Sequence, residues 1–131
     1  MKNQEVKNYA VLNYVLKNKD DKSKVDEILY YADAIHVRKY GFPITTFKYI
    51  KKDNSVQVIK DNKIEKVNYN SFVIGFTEIV ALKEAIVRSQ NFRKLKSYIE
   101  AENGEEIDLS KEVKNEEMLH LYSLWNKHKN D

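Results

Sequence analysis

Few residues of this chain have side chains suited to acid–base work or metal binding. Asp33 is one, set among Tyr30, Tyr31, Ala32 and Ala34, with His36 following three residues later. A helix interior offers a carboxylate no backbone donor. A buried Asp33 therefore needs a partner such as an arginine, a lysine or a tyrosine hydroxyl, since an isolated buried charge is costly. To act as a general base it would also need a raised pKa and a nearby nucleophile or oxyanion site. The sequence marks neither, so Asp33 is read as structural or partner-facing. The only other histidines are His120 and His128. Metal ligation requires two imidazoles and a carboxylate to converge. His120 beside Glu116 or Glu117 is a weak candidate, and no metal site is expected.

Other chemistries are excluded more firmly. There are no cysteines, which removes disulfides, thiolate zinc sites and cysteine nucleophiles together. Gly41, Gly75 and Gly104 are the only 3 glycines and stand far apart, so no phosphate-cradling loop can form. No Gly-x-Ser-x-Gly elbow, kinase signature or zinc-deaminase pattern occurs. The chain is expected to be non-enzymatic and to carry no cofactor.

The element that must position Asp33 and His36 is the best punctuated in the chain, Ser23 to Ile44, reading SKVDEILYYADAIHVRKYGFPI. Val25, Ile28, Leu29, Ala32 and Ile35 recur at helical spacing. Ser23 is the N-cap candidate, Asp26 and Glu27 suit the first turn, and Arg38 and Lys39 suit the last. Gly41 and Pro43 end the helix. Before it, Asn3 to Lys17 reads as a helix with a stripe of Val6, Tyr9, Ala10, Asn13 and Leu16, widened by Leu12 and Val15. The connection between the two helices is short enough to pack them side by side.

After Pro43 the period changes to two. Thr45 to Lys51, Ser55 to Lys60 and Lys63 to Tyr69 alternate, separated by Asp53-Asn54 and Asp61-Asn62, which suit tight hairpin turns. A three-stranded antiparallel meander over about residues 45–69 is expected, packing Phe47, Tyr49, Val56, Val58 and Ile64 on one face. Lys51, Lys52, Lys60 and Lys63 would lie in solvent near the tips. Ser71 or Thr77 then caps a helix to about Gln90, unless Phe72 to Ile74 forms a strand ending at Gly75. Asn91 to Ala101 reads as a shorter helix stopped at Asn103-Gly104. Ser110 is expected to cap a final helix carrying Met118, Leu121, Tyr122, Leu124 and Trp125. The fold class is α+β: one helical domain, residues 1–131, with the meander between N-terminal and C-terminal helices.

Charge is uneven along the chain. The net charge is only +3, but Arg38 to Lys66 is basic and Glu100 to Glu117 acidic, two segments able to attract each other or a partner. Lys48, Tyr49, Lys51, Lys52, Lys60 and Lys63 form the candidate set for nucleic acid, in which a basic sheet holds phosphates and aromatics stack bases. Arg88, Arg93, Lys94 and Lys96 add a second cluster. No apolar run reaches membrane-spanning length and MKNQEVKNYA lacks a signal-peptide core, so a cytoplasmic protein is expected.

Ile28-Leu29-Tyr30-Tyr31-Ala32-Asp33, His36 and Tyr40-Gly41-Phe42-Pro43-Ile44 stand in an order that resembles the Panacea domain, the SocA-like antitoxin family of bacteria and their phages. The likeness covers roughly residues 5–50. The Gly-Pro-Val turn of that family is absent, and the lysine-rich meander takes its place. The resemblance implies a protein that neutralises a toxin by direct contact or presents it to a protease. The partner is then another protein, with Tyr30, Tyr31, Asp33, His36, Arg38 and Lys39 as contact candidates. The alternatives are a small phage inhibitor of a host defence enzyme, or a nucleic-acid binder using the basic meander.

Overall fold

A helix that is apolar on nearly every side has to lie at the centre of its domain. The helix from Val25 to Tyr40 does so, with every residue from Ile28 to Val37 buried. In a computed structural model describing residues 3–19, 22–59 and 74–129, this helix is the hub. The order is α1 (Asn3–Asn18), α2 (Val25–Tyr40), β1 (Lys48–Lys52), β2 (Ser55–Ile59), α3 (Phe76–Val87), α4 (Lys96–Glu100) and α5 (Glu116–His128). Around α2 pack α1, α3, β2 and a 3₁₀ turn at Leu109–Glu112. The architecture is α+β, with a sheet of two antiparallel strands among the described residues between N-terminal and C-terminal helices.

The punctuation of α2 is partly as expected. Gly41 takes φ +90° and returns its N–H to the Val37 carbonyl at 2.8 Å, the left-handed C-terminal cap a glycine allows. At the other end Lys24 stands at the N-cap instead of Ser23, after a 3₁₀ turn at Lys22–Lys24, and its side chain caps nothing. In α1 the face turned inward carries Asn8, Ala10, Val11 and Val15, with Leu16 more than a third exposed. Ala10 and Val15 belong to the expected stripe, whereas Asn8 and Val11 do not and Leu16 turns outward.

The first hairpin forms as its turn chemistry requires. Tyr49 pairs with Val58 and Lys52 with Ser55, and Asn54 takes the left-handed φ of 60°. Tyr49, Val56 and Val58 are buried and Phe47 is half-buried. The second turn at Asp61-Asn62, the third strand, Ile64, Ser71 and Phe72-Val73 lie outside the described residues. The free edge of β1 is taken by the acidic segment. Lys51 N–H donates to the Glu105 carbonyl at 3.0 Å, and Ile107 N–H donates to the Tyr49 carbonyl at 2.8 Å. Gly104, at φ +88°, gives its N–H to the Lys51 carbonyl at 2.8 Å. Basic and acidic stretches do meet, along β1 through backbone and at Arg38 and Glu112 through side chains.

Three later boundaries differ from expectation. The third helix begins at Phe76 behind Gly75, whose N–H is held by the Glu78 carboxylate at 2.8 Å. Only Lys96 to Glu100 of the Asn91–Ala101 stretch is helical. Ser110 does not cap the last helix. It sits in the 3₁₀ turn, donating backbone and hydroxyl to Asp108, while the Asn115 side chain caps α5 by accepting from Met118 N–H at 2.9 Å. At the last helix an Asx side chain has taken the cap expected of the serine, which is itself held by Asp108. The last helix also buries less than its apolar content suggests: none of its residues is fully buried.

Candidate functional site

Asp33 and His36 lie one turn apart on α2, and both point inward. The Asp33 carboxylate accepts from the Ile44 amide at 2.7 Å and the Thr45 amide at 2.9 Å. It also accepts from the Thr45 hydroxyl at 2.6 Å and the Tyr49 hydroxyl at 2.5 Å. A tyrosine hydroxyl is among the partners that burial required. The four donors tie the Pro43 corner and strand β1 to the central helix. Burial pushes the Asp33 carboxyl up to about 6 despite these donors, and pushes the Tyr49 phenol well above its usual range.

His36 is held in the same manner. The distance from Nδ1 to the Phe42 carbonyl is 2.6 Å, and from Nε2 to the Thr77 hydroxyl 3.0 Å. A carbonyl only accepts, so Nδ1 carries the proton and Nε2 accepts from Thr77. Burial pulls its pKa below the ordinary value, favouring the neutral ring. Tyr40 and Phe42 flank the imidazole at ring distances of 4.8 and 5.1 Å. Tyr30 donates to or accepts from Ser97 at 2.5 Å, and Tyr31 stacks on Phe92 at 4.8 Å. Tyr30, Tyr31, Asp33 and His36 are thus core residues, each about 5% exposed or less. As primary partner contacts they are corrected: packing around α2 buries all four, with Tyr30 and Tyr31 each only 5% exposed.

Arg38 and Lys39, where α2 emerges, are different. They border a concavity of about 320 Å³ with Arg88, Arg93, Lys114 and Glu84, and Tyr31 and Ile35 supply its apolar wall. Lys39 and Arg88 share the Glu84 carboxylate at 3.3 and 3.4 Å. Arg38 lies 3.6 Å from Glu112, a buried carboxylate that also accepts from the Ser97 amide at 2.6 Å. Neither Arg93 nor Lys114 has an ion-pair partner among the described residues. Five cations against two carboxylates leave a surplus of three positive charges, gathered from four separate segments. Exposed pairs of this kind add only about 0–1 kcal/mol each, so stability does not account for the gathering. A field that attracts anionic surfaces does follow from it.

The candidate nucleic-acid set is dispersed. Lys48 and Lys52 are exposed. Tyr49 is buried with its hydroxyl on Asp33, so it offers no face for stacking bases. Lys51, expected in solvent, is half-buried; its ammonium donates to the Ala101 carbonyl at 2.9 Å and sits over the Tyr98 ring. Lys60 and Lys63 lie outside the described residues. No cluster of three or more metal-ligating side chains occurs among the described residues. Glu116, Glu117 and His120 are exposed on α5.

Arg88 and Arg93 were visible in the sequence as a basic cluster, but nothing there joined them to Arg38 and Lys39. That junction is made by packing α3 across α2. Lys114 carried no signal, being a lone lysine in an acidic stretch. Compared with protein families, curated proteins and solved structures, the chain matches none.

Proposed function

We propose that this chain is a non-enzymatic protein-binding module that takes an acidic surface of another protein against the basic cleft at the end of α2. The surplus of positive charge around Arg38, Lys39, Arg88, Arg93 and Lys114 carries the reading. Tyr31 and Ile35, buried at the floor of the cleft, fix the position of the cations around it. The two side chains best suited to catalysis, Asp33 and His36, support it further, because their hydrogen bonds are consumed in fixing the fold. The Panacea-like order of residues supports the more specific reading of an antitoxin or proteolytic adaptor acting on a toxin in the cytoplasm. No helix among the described residues is long and apolar enough to cross a membrane.

The test is capture of partners from the native host by the tagged chain, followed by mass spectrometry. Arg88→Glu with Arg93→Glu is the informative variant. Arg38→Glu is less so, because it would leave the buried Glu112 facing a like charge. The double variant should fold and lose the partner. Undiminished capture acquits the cleft, and retention of RNA or single-stranded DNA alone contradicts the protein-binding reading.

A further inference from the structure

Helix α3 turns an apolar stripe to solvent. Phe76 and Val87 are 82% exposed and Val80 42%, and with exposed Lys83 they follow at steps of four, three and four. That is the spacing of one seam along a helix, the register in which a second helix packs. The buried side of α3 is supplied separately by Glu78, Ala81, Leu82 and Ala85, so its own packing does not use the stripe. Large apolar side chains scattered singly on a surface need no explanation, but three in line on one helix form a contact face.

The stripe borders the basic cleft. Glu84 stands one turn after Val80 and three residues before Val87, and it is the carboxylate shared by Lys39 and Arg88. Lys83, within the stripe, makes no ion pair among the described residues. Whatever covers the stripe therefore meets apolar side chains along its length, with positive charge in its middle and along one flank. A second copy of this chain does not meet that requirement, because pairing two α3 stripes would bring two positively charged clefts to one interface. An acidic helix with apolar residues at the same spacing does, burying its apolar side while its carboxylates face the cations.

We infer that α3 docks an acidic amphipathic helix of the partner protein, with its apolar side on Phe76, Val80 and Val87 and its carboxylates toward Lys83, Arg88 and Lys39. The inference rests on the cleft reading and adds to it the partner's secondary structure and the apolar half of the contact. From Phe76 to Val87 the stripe rises ~16 Å, so about three turns of partner helix cover it. A free segment of that length is only marginally helical in water. It therefore folds against α3, held by apolar burial and charge together.

Fluorescence anisotropy at low salt tests this with two labelled peptides of about 18 residues, built from the same leucines, glutamates and alanines. In one the leucines form a single helical stripe flanked by glutamates; in the other they are spread around the helix. The parent should bind the striped peptide at least about tenfold more tightly than the other. Phe76→Ser with Val87→Ser removes two exposed side chains and leaves the fold intact. It should weaken that binding at least about tenfold with the salt dependence kept. Arg88→Glu with Arg93→Glu should weaken it as well and flatten the salt dependence. Equal binding of the two peptides, binding of neither, or a Phe76→Ser, Val87→Ser protein that binds as the parent does overturns the inference. In each case the cleft reading stands or falls separately, on whether Arg88→Glu with Arg93→Glu lowers capture of the acidic partner.

Discussion

Asp33 was legible as a residue with a problem: a carboxylate in a helix interior has no backbone donor, and Tyr49 is among the donors that solve it. Its location in the core was not legible, because the apolar stripe marked one face of a helix that neighbours in fact cover on every side. The titration of Asp33 follows from that burial. Its pKa is raised from 3.8 to about 6, so between those values the folded state binds the proton that the unfolded state has released. The group's contribution to stability is therefore greatest below about pH 4 and declines by on the order of 3 kcal/mol as pH rises to about 6. His36 acts in the opposite sense. Its pKa is lowered from 6.5, and its contribution is lost as pH falls below that ordinary value. Denaturant unfolding of the parent and of Asp33→Asn between pH 4 and 7 separates the two. Parent stability should fall relative to the variant as pH rises to 6, whereas a constant difference would show that burial does not control this carboxyl.

Element boundaries were readable where one residue type has no substitute. Gly41 and Asn54 supply positive φ, and both turns stand where expected. Serines, by contrast, were poor markers, since Lys24 stands at the N-cap expected of Ser23 and Asn115 takes the one expected of Ser110. Two substitutions test the hub at this scale. Leu29, 2% exposed in α2, should cost about 2–5 kcal/mol when cut to alanine, through lost burial and a cavity. Gly41→Ala should cost about 1–2 kcal/mol, from a left-handed backbone and a methyl driven toward α5. Because Trp125 lies on α5, its fluorescence should move in Gly41→Ala before global unfolding. In Leu29→Ala the fluorescence and the helix signal should melt together. A Gly41→Ala protein as stable as the parent would mean that α5 does not seat at this corner.

The whole molecule brings together what the chain keeps apart. Arg38 and Lys39 end one helix, Arg88 follows another, Arg93 sits in a loop and Lys114 precedes α5, yet all line one concavity. No periodicity or motif could show this, because it depends on how α3 crosses α2. The central claim is that this surplus charge binds an acidic protein surface. Its most direct test is the equilibrium affinity of the purified chain for its captured partner, measured against salt for the parent and for Arg88→Glu with Arg93→Glu. The parent should weaken at least about tenfold between low and high salt, and the variant should bind at least about tenfold more weakly at low salt with a flatter dependence. Equal affinity and equal salt dependence in the two proteins would contradict the account.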